Sequence, residues 1–293
     1  MLALLVLALV LSAQGFACAA DFYEHWGDGR AELSSYEVLQ PRYGEMRQGY
    51  GVMIFVTEEI HRETYIKVES PTPAEKRLYV LKLNNMLKFN TGIYDYSVMT
   101  SVFSEVEAVE HAFALRKVSL SAQEWCGHVF DEAQVRDGRL QGTLHSYFER
   151  EGRRDYQLER ARNFASEDGL LIRMRELKGE LLAVGGRMEV QLLPGLWSLR
   201  TAHAQHGLVA ATLSKGEVVE VESIGAQLAA HIWTLEAEAF WKKYWVEKAY
   251  PHRILRWEHS DGGRGELKKT IRVPYWSLHD NADETYRKEL DIP

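Results

Sequence analysis

The sequence is poor in cysteine, in proline and in long apolar runs, and each shortage excludes a class of protein. Two cysteines in 293 residues exclude a disulfide framework and a cysteine-rich zinc module. Only seven prolines and 22 glycines exclude a collagen-like chain. Beyond residue 20 no apolar run reaches 18 residues, so the sequence predicts no transmembrane span in the mature chain.

Basic residues are also in the minority. The chain has 35 Lys and Arg against 42 Asp and Glu, a formal net charge of −7. Nucleic-acid-binding proteins are usually basic, so we expect no nucleic-acid partner. A composition of 46% hydrophobic and 26% charged residues is that of an ordinary globular protein.

The N-terminus has the pattern of an export signal. Residues 2–13 are all apolar or small, a run typical of a signal peptide and too short to cross a bilayer. Ala17-Cys18-Ala19 fits the small-x-small cleavage rule. We therefore predict a signal peptide at 1–19 and a single exported β-rich domain at 20–293. The expected location is the periplasm or the outer envelope of a bacterium.

Cys18 leaves a second possibility open, a lipid anchor. A bacterial lipoprotein signal places a small-residue triplet, usually preceded by Leu, before the lipidated cysteine. Here Phe16 lies within that triplet and Leu11 is too far upstream. The sequence therefore favours simple cleavage, and it leaves Cys126 as the only cysteine of the mature chain.

The mature chain is dominated by an alternation of apolar and polar residues with a period of two. Tyr94, Tyr96, Val98, Thr100 and Val102 share one face of such a run. This period predicts β-strands with one polar face, as in antiparallel sheets. The predicted fold class is therefore mainly β, a large curved antiparallel sheet or half-barrel with one or two short helices.

Turn signals separate the predicted strands. Asp137-Gly138 predicts a tight hairpin, and Asp261-Gly262-Gly263 predicts a second turn. The run 47–51, which contains two glycines, predicts a third turn. Helices are predicted at 159–164 and at 166–177, the latter with Ser166 as its N-cap. A further short helix is expected in the C-terminal tail at 281–290.

Four stretches carry a resemblance to a known family: Trp26–Glu59, Asn90–Phe103, Gln123–Phe130 and Val246–Glu258. Together they resemble a family of uncharacterised bacterial exported proteins, some of which are labelled septum formation inhibitor Maf. Maf proteins are cytoplasmic nucleotide pyrophosphatases with a Ser-x-Ser-Pro-Arg-Arg type loop near the N-terminus. This sequence has no such loop and begins with an export signal, so the resemblance does not imply nucleotide hydrolysis.

The C-terminal part carries a second likeness. Phe240–Lys268 runs as an aromatic strand, Tyr-Pro-His-Arg, a strand, the Asp-Gly-Gly turn and another strand. This order is similar to the closing hairpins of periplasmic half-barrel proteins, including lipoprotein-carrier-like folds. The likeness implies a curved antiparallel sheet that is open at one side and holds an apolar group.

Trp125-Cys126-Gly127-His128 is the most conspicuous short motif. It begins like a thioredoxin motif but lacks the second cysteine, which excludes disulfide exchange within the site. In a continuous strand, Glu124, Cys126 and His128 would share a face and form a candidate Cys/His/Glu catalytic row. The alternative, which we favour, is a partly buried structural cysteine whose thiol pKa is raised.

Two further patterns are candidate sites. Glu236 and Glu238 share a strand face, a spacing that paired carboxylates use in glycoside hydrolysis, although such pairs usually face solvent. His203 and His206 have the spacing of two metal ligands, but no other ligand cluster lies nearby in sequence. We therefore predict no metal site, no catalytic residue and no cofactor.

The aromatic residues are a stronger collective feature. The chain has eight Trp, 14 Tyr and 10 Phe, and they crowd the C-terminal part. Aromatic side chains can line an apolar ligand groove or fill the core of a curved sheet. The candidate ligand-binding residues are Trp241, Trp245, Arg253, Arg256 and Trp257.

The function expected from these features is the binding of an apolar or lipid-like ligand by an exported envelope protein. A role without catalysis is favoured over an enzymatic one. The alternatives are an envelope hydrolase that uses Cys126 and His128 or the paired glutamates, and a structural envelope protein that binds no ligand. An envelope protein partner is compatible with each of them.

Overall fold

A computed structural model of the protein describes residues 22–293. The predicted signal peptide at 1–19 and the candidate anchor Cys18 lie outside the described residues. Strands account for 57% of the residues and helices for 12%. All 15 strands found in residues 22–293 belong to one open sheet, which confirms the prediction of a mainly β fold. Within residues 22–293, no helix is long and apolar enough to cross a membrane.

The elements are numbered in chain order. The strands are β1 (Ala31–Arg42), β2 (Glu45–His61), β3 (Arg77–Thr91), β4 (Tyr94–Glu105), β5 (Ala114–Glu124), β6 (Gly127–Arg136), β7 (Arg139–Ser146), β8 (Arg153–Glu159), β9 (Phe164–Ser166), β10 (Arg187–Leu193), β11 (Val209–Ser223), β12 (Ala226–Ala237), β13 (Phe240–Glu247), β14 (Ile254–His259) and β15 (Arg264–Val273). Residues 22–26 form a helical turn before β1. The helices that follow are α1 (Glu167–Arg173), α2 (Leu196–Ala202) and α3 (Thr285–Glu289), with short 3-10 turns at Ala74–Lys76, Tyr275–Ser277 and Asn281–Glu284.

The sheet has two arms that meet at its centre. The first arm runs from β1 out to β8 as an antiparallel meander, and the second runs from β15 back to β9. β1 pairs with β15 and joins the arms. The one parallel pair among the described strands is β9 with β10. β8 and β9 are therefore the two free edges of the sheet.

Because the strands form hairpins, their connections gather at two rims. The upper rim carries the turns at 43–44, 92–93, 125–126 and 147–152 of the first arm, together with those at 238–239 and 260–263 of the second. The lower rim carries the connections at 62–76, 106–113, 137–138, 224–225 and 248–253.

Both arms pack against the same two helices, so the sheet curls around them and has an inner and an outer face. α1 contacts β4 and β5 of the first arm, and Glu167 at its start bonds Lys242 of the second. The main hydrophobic core fills this inner face. A smaller cluster lies on the outer face, where Leu290 of the C-terminal tail covers Leu33 and Ile54.

Local signals explain several of these elements. Asp137 and Gly138 both adopt positive φ, 48° and 76°, which is the backbone of a type I′ hairpin turn. The Asp261-Gly262-Gly263 turn also forms where predicted, between β14 and β15. Ser166 caps α1 as expected, because its side chain accepts a hydrogen bond from the backbone N–H of Gly169.

Two local predictions are wrong. The run 47–51 is not a turn but part of β2, and the chain turns earlier at 43–44. Gly49 has a packing role there, since a Cβ atom would lie 2.2 Å from the carbonyl oxygen of Lys88 on β3. The segment 159–164 is not helical, because it crosses from β8 to β9, where short backbone pairing outweighs helix propensity.

Candidate functional site

A cavity of about 120 Å³ lies on the inner face of the sheet, in its upper half. Val38, Met53 and Val98 of the first arm form one wall, and Trp257 of the second arm forms another. Trp197 of α2 closes the space from the inner side. The cavity reaches the upper rim at the 260–263 turn. A dry cavity of similar volume holds a single six-membered ring, so the space admits the end of a small molecule.

A buried ion pair forms the floor of the site. Lys242 of β13 donates to Glu167 at the start of α1 and to Oγ of Ser198 on α2, the latter at 3.1 Å. The other oxygen of Glu167 accepts from the backbone N–H of Gly195 at 3.0 Å. The charges of Lys242 and Glu167 therefore neutralise each other, and both side chains are held within the protein.

Asp168 follows Glu167 and lines the cavity. One carboxyl oxygen accepts from the backbone N–H of Leu196 at 3.0 Å, so Asp168 also joins α1 to the start of α2. Burial and the neighbouring Glu167 charge raise the pKa of Asp168 to about 7. The second oxygen makes no hydrogen bond to any residue in 22–293. Near neutral pH this carboxyl group is able both to donate and to accept a hydrogen bond.

Tyr244 and His259 add two more polar groups to the wall. They lie on neighbouring strands, with His259 directly opposite Lys242. Burial and the nearby carboxylates raise the pKa of Tyr244 well above its usual value, so its hydroxyl keeps its proton. Burial and the Lys242 charge lower the pKa of His259 well below its usual value, which keeps the imidazole neutral.

Neither of these groups is satisfied by the described part of the protein. The hydroxyl of Tyr244 makes no hydrogen bond to a residue within 22–293, and Nε2 of His259 is buried without a partner. Nε1 of Trp197, on the opposite side of the cavity, is buried in the same unpaired condition. Buried polar atoms are nearly always paired, so these two unpaired nitrogens beside one cavity indicate a place for a ligand or ordered water.

The segment that closes the cavity is tied to the first arm by charged side chains. Nε2 of His206 lies 2.6 Å from Asp131 of β6, and the His206 ring stacks on Tyr156 of β8 at 3.8 Å. Arg200 and His203 both lie 2.8 Å from the same oxygen of Glu151. These contacts bridge the two arms and fix the position of α2 above the cavity.

Of the five predicted ligand-binding residues, the structure places one at the cavity and four away from it. Trp257 lines the cavity and packs against Tyr36 with ring centroids 4.8 Å apart. The other four are Trp241, Trp245, Arg253 and Arg256.

Those four residues lie away from the cavity. Strand alternation places Trp241 and Trp245 on the face of β13 opposite Lys242, and Arg256 lies over the Trp245 ring at 5.1 Å. Arg253 makes a two-pronged ion pair with Glu247 at the lower rim, at 2.7 and 2.9 Å. A ligand role for these four stays a prediction without geometric support.

The candidate row around Cys126 does not form. Trp125 and Cys126 are the turn between β5 and β6, since Glu124 pairs directly with Gly127. Glu124 therefore faces inward and His128 outward, on opposite sides of the sheet. The prediction of a partly buried cysteine in a strand is wrong, because Cys126 is exposed at the turn. Its pKa is raised as expected, but chiefly because the thiol donates a hydrogen bond to the Glu124 carboxylate and lies near its charge, with burial the smallest cause.

The other candidate pairs have ordinary surroundings. Glu236 and Glu238 are exposed at the upper end of β12. His203 and His206 each bond a different carboxylate, as described above. No group of three or more potential metal-ligating side chains occurs within residues 22–293.

Sequence reasoning missed Asp168, Trp197, Tyr244 and His259. One signal was present: Lys242 and Tyr244 share a strand face with Val246, whereas the more conspicuous tryptophans alternate with them. A lysine on the apolar face of a strand indicates a buried ion pair. Asp168 and Trp197 carried no such signal, because they reach the cavity only through the packing of α1 and α2 inside the sheet.

Comparisons with protein-family models, with curated proteins and with solved structures find no match for this chain.

Proposed function

We propose that the protein is an exported envelope protein that binds an amphipathic ligand in the inner cavity. The ligand has a hydrogen-bonding head that contacts Asp168, Tyr244 and His259, and an apolar part that contacts Trp257 and Trp197. The observation that carries the proposal is a cavity whose wall holds two buried, unpaired nitrogens, Nε1 of Trp197 and Nε2 of His259, beside both apolar and polar side chains. Unpaired buried groups cost free energy, and a ligand head that bonds them recovers it.

The cavity volume sets the size of the bound part. About 120 Å³ admits a ring or a short chain segment but not a whole two-chain lipid. A longer ligand therefore leaves its remainder at the upper rim, where Asp261 and Gly263 border the space. The export signal predicted from the sequence, which lies outside the described residues, supports the envelope location.

The charge of the site predicts which heads bind best. Lys242 is already neutralised by Glu167, and the other cation of the described wall, Arg264, is exposed near the upper rim, so a carboxylate head inside the cavity meets Asp168. A hydroxyl or ammonium head bonds Asp168 without that repulsion. We therefore expect octanol and octylamine to bind more tightly than octanoate above pH 7.

Tyr244→Phe tests the proposal, because it removes one hydroxyl and keeps the ring. Calorimetric titration with octanol should show an affinity about tenfold lower than that of the wild type. Tyr50→Phe, on the outer face of β2, is the matched control and should bind like the wild type. Equal affinities for the two variants, or no binding of any octyl compound, would contradict the proposal and leave a structural protein without a ligand.

A further inference from the structure

The upper rim exposes a large apolar side chain at each of the four hairpin turns of the first arm. Tyr43 is 58% exposed, Ile93 82%, Trp125 68% and Tyr147 76%. Successive hairpins are two strands apart, so these side chains follow one another at about 10 Å along a row of roughly 30 Å. Three of the four are aromatic and Ile93 is aliphatic, and we call the four residues together the aromatic rim.

We propose that the aromatic rim docks the protein on the surface of a lipid bilayer. Trp and Tyr combine an apolar ring with a polar tip, and they concentrate where hydrocarbon meets headgroups. The rings of the aromatic rim have polar neighbours at that level. Nε1 of Trp125 donates to Asp95 at 2.9 Å, and the guanidinium of Arg42 lies 4.3 Å from the centre of the Tyr43 ring.

The spacing of the side chains favours a bilayer over a protein partner. A stable protein interface has a continuous, closely packed apolar centre. The side chains of the aromatic rim stand singly on separate hairpins, an arrangement in which each can enter a fluid surface independently. The charged residues around them have both signs, for example Arg42, Glu45, Arg47 and Asp95. Docking should therefore depend on insertion of apolar groups and only weakly on salt or on anionic lipid.

The cavity opens near the aromatic rim, which links membrane docking to ligand binding. The cavity reaches the same rim at the 260–263 turn, so a docked protein would hold its opening near the membrane. Entry of the ligand from the bilayer rests on the proposed function. Docking itself does not, since the exposed side chains lie outside the cavity.

Cys126 provides a reporter in the aromatic rim. It is exposed, follows Trp125, and becomes the only cysteine of the chain when Cys18 is changed to Ser. Because Glu124 raises its pKa, labelling with an environment-sensitive fluorophore needs a mildly alkaline pH. Addition of phosphatidylcholine vesicles should shift the emission to the blue. The control carries the fluorophore at the lower rim, through Cys126→Ser with Val109→Cys, and should show no shift.

A pair of variants tests the side chains themselves in vesicle flotation. Trp125→Ser with Tyr147→Ser should lower the partition onto phosphatidylcholine vesicles at least about tenfold. Ile66→Ser with Ile224→Ser, which removes exposed apolar groups from the lower rim, should leave it unchanged. Octanol binding should be intact in both, which separates failure of docking from failure of ligand binding.

Three results would overturn the inference. The first is absence of flotation of the wild-type protein with vesicles of phosphatidylcholine, alone or mixed with phosphatidylglycerol. The second is an equal response of the two rims to either experiment. The third is a dimer in sedimentation velocity that the Trp125 and Tyr147 substitutions dissociate, because the rim would then bind a second copy of the chain.

Discussion

The lower and upper ends of the half-barrel interior use polar residues in opposite ways. At the lower end Arg175 is fully buried, bonds Glu32 at 3.0 Å and the carbonyl oxygen of Pro251 at 2.8 Å, and lies 4.2 Å from the centre of the Phe55 ring. At the upper end Nε2 of His259 and Nε1 of Trp197 border a cavity and are buried without a partner in residues 22–293. The lower end is thus filled by side chains that contact one another, although Nη1 of Arg175 and Nε1 of Trp26 lack a hydrogen-bond partner among the described residues there, whereas the upper end encloses a cavity.

This difference assigns the stability of the fold mainly to the lower end and ligand binding mainly to the upper end. α1 spans both ends, with Asp168 in the cavity wall and Arg175 just beyond its last turn. Substitutions at the lower end should therefore act on folding, and substitutions at the upper end should act on ligand binding or on its pH dependence.

Arg175→Met should have the largest effect on stability. It leaves the buried Glu32 carboxylate without its partner, which typically costs about 3–5 kcal/mol. The measurement is the free energy of unfolding in urea. Because an apolar replacement of a whole buried pair is often tolerated, Arg175→Met with Glu32→Leu should recover much of the loss. A single variant as stable as the wild type would show that the lower end does not depend on this pair.

Asp168→Asn should change the pH dependence of stability. The folded-state pKa of about 7 lies above the usual value, so the folded protein holds one proton more than the unfolded chain between about pH 4 and 7. This contribution makes the wild type lose stability as pH rises through that window, by roughly 2–4 kcal/mol. The Asn variant should lack the loss, whereas Glu236→Gln, on the exposed outer face, should retain it. Parallel pH profiles for Asp168→Asn and the wild type would contradict the assignment.

His259→Phe should separate the two properties at one position. The ring of Phe fills the place of the imidazole, and no protein hydrogen bond to Nε2 is lost within the described residues. Stability should therefore change by less than about 1 kcal/mol or rise, since an unpaired buried nitrogen is removed. Octanol affinity should fall, as measured by calorimetric titration. A large loss of stability without a change in affinity would place His259 among the purely structural residues.

Trp125→Ser with Tyr147→Ser should have the smallest effect on folding. Both side chains are exposed at turns, so the free energy of unfolding should stay within about 0.5 kcal/mol of the wild type. Thermal unfolding of the variant used for flotation provides this check. A larger loss would mean that these side chains support the turns, and the flotation result would then need single substitutions.

The sequence predicted the class of fold because period-two alternation is a local property of each strand. The alternation over β4 and the Asp137-Gly138 turn are cases in which the local pattern and the structure agree. Gly49 is the opposite case: its local pattern indicates a turn, but the close approach of β3 decides its role. α1 and α2 cover the inner face through packing between residues that are far apart in the sequence. The local alternation of apolar and polar residues carries no information about such packing.

The candidate site was less predictable than the fold for the same reason. The aromatic crowding drew attention to β13 and β14, and Trp257 is the one predicted ligand-binding residue of that set that lines the cavity. Trp241 and Trp245 are one residue out of phase with Lys242 and Tyr244, and in a strand this places them on the other face. Asp168 and Trp197 come from distant segments of the chain and meet the strands only in the folded protein.

The central claim is that the unpaired groups at the upper end hold a ligand, and native mass spectrometry tests it most directly. The protein is purified from the envelope fraction, the location that we propose for it. Its mass is compared before and after solvent extraction, and Tyr244→Phe and Tyr50→Phe are treated in parallel. The account predicts an extractable amphipathic compound on the wild type and on Tyr50→Phe, with a lower occupancy on Tyr244→Phe. An unliganded mass for all three, with no compound in the extract, would contradict it.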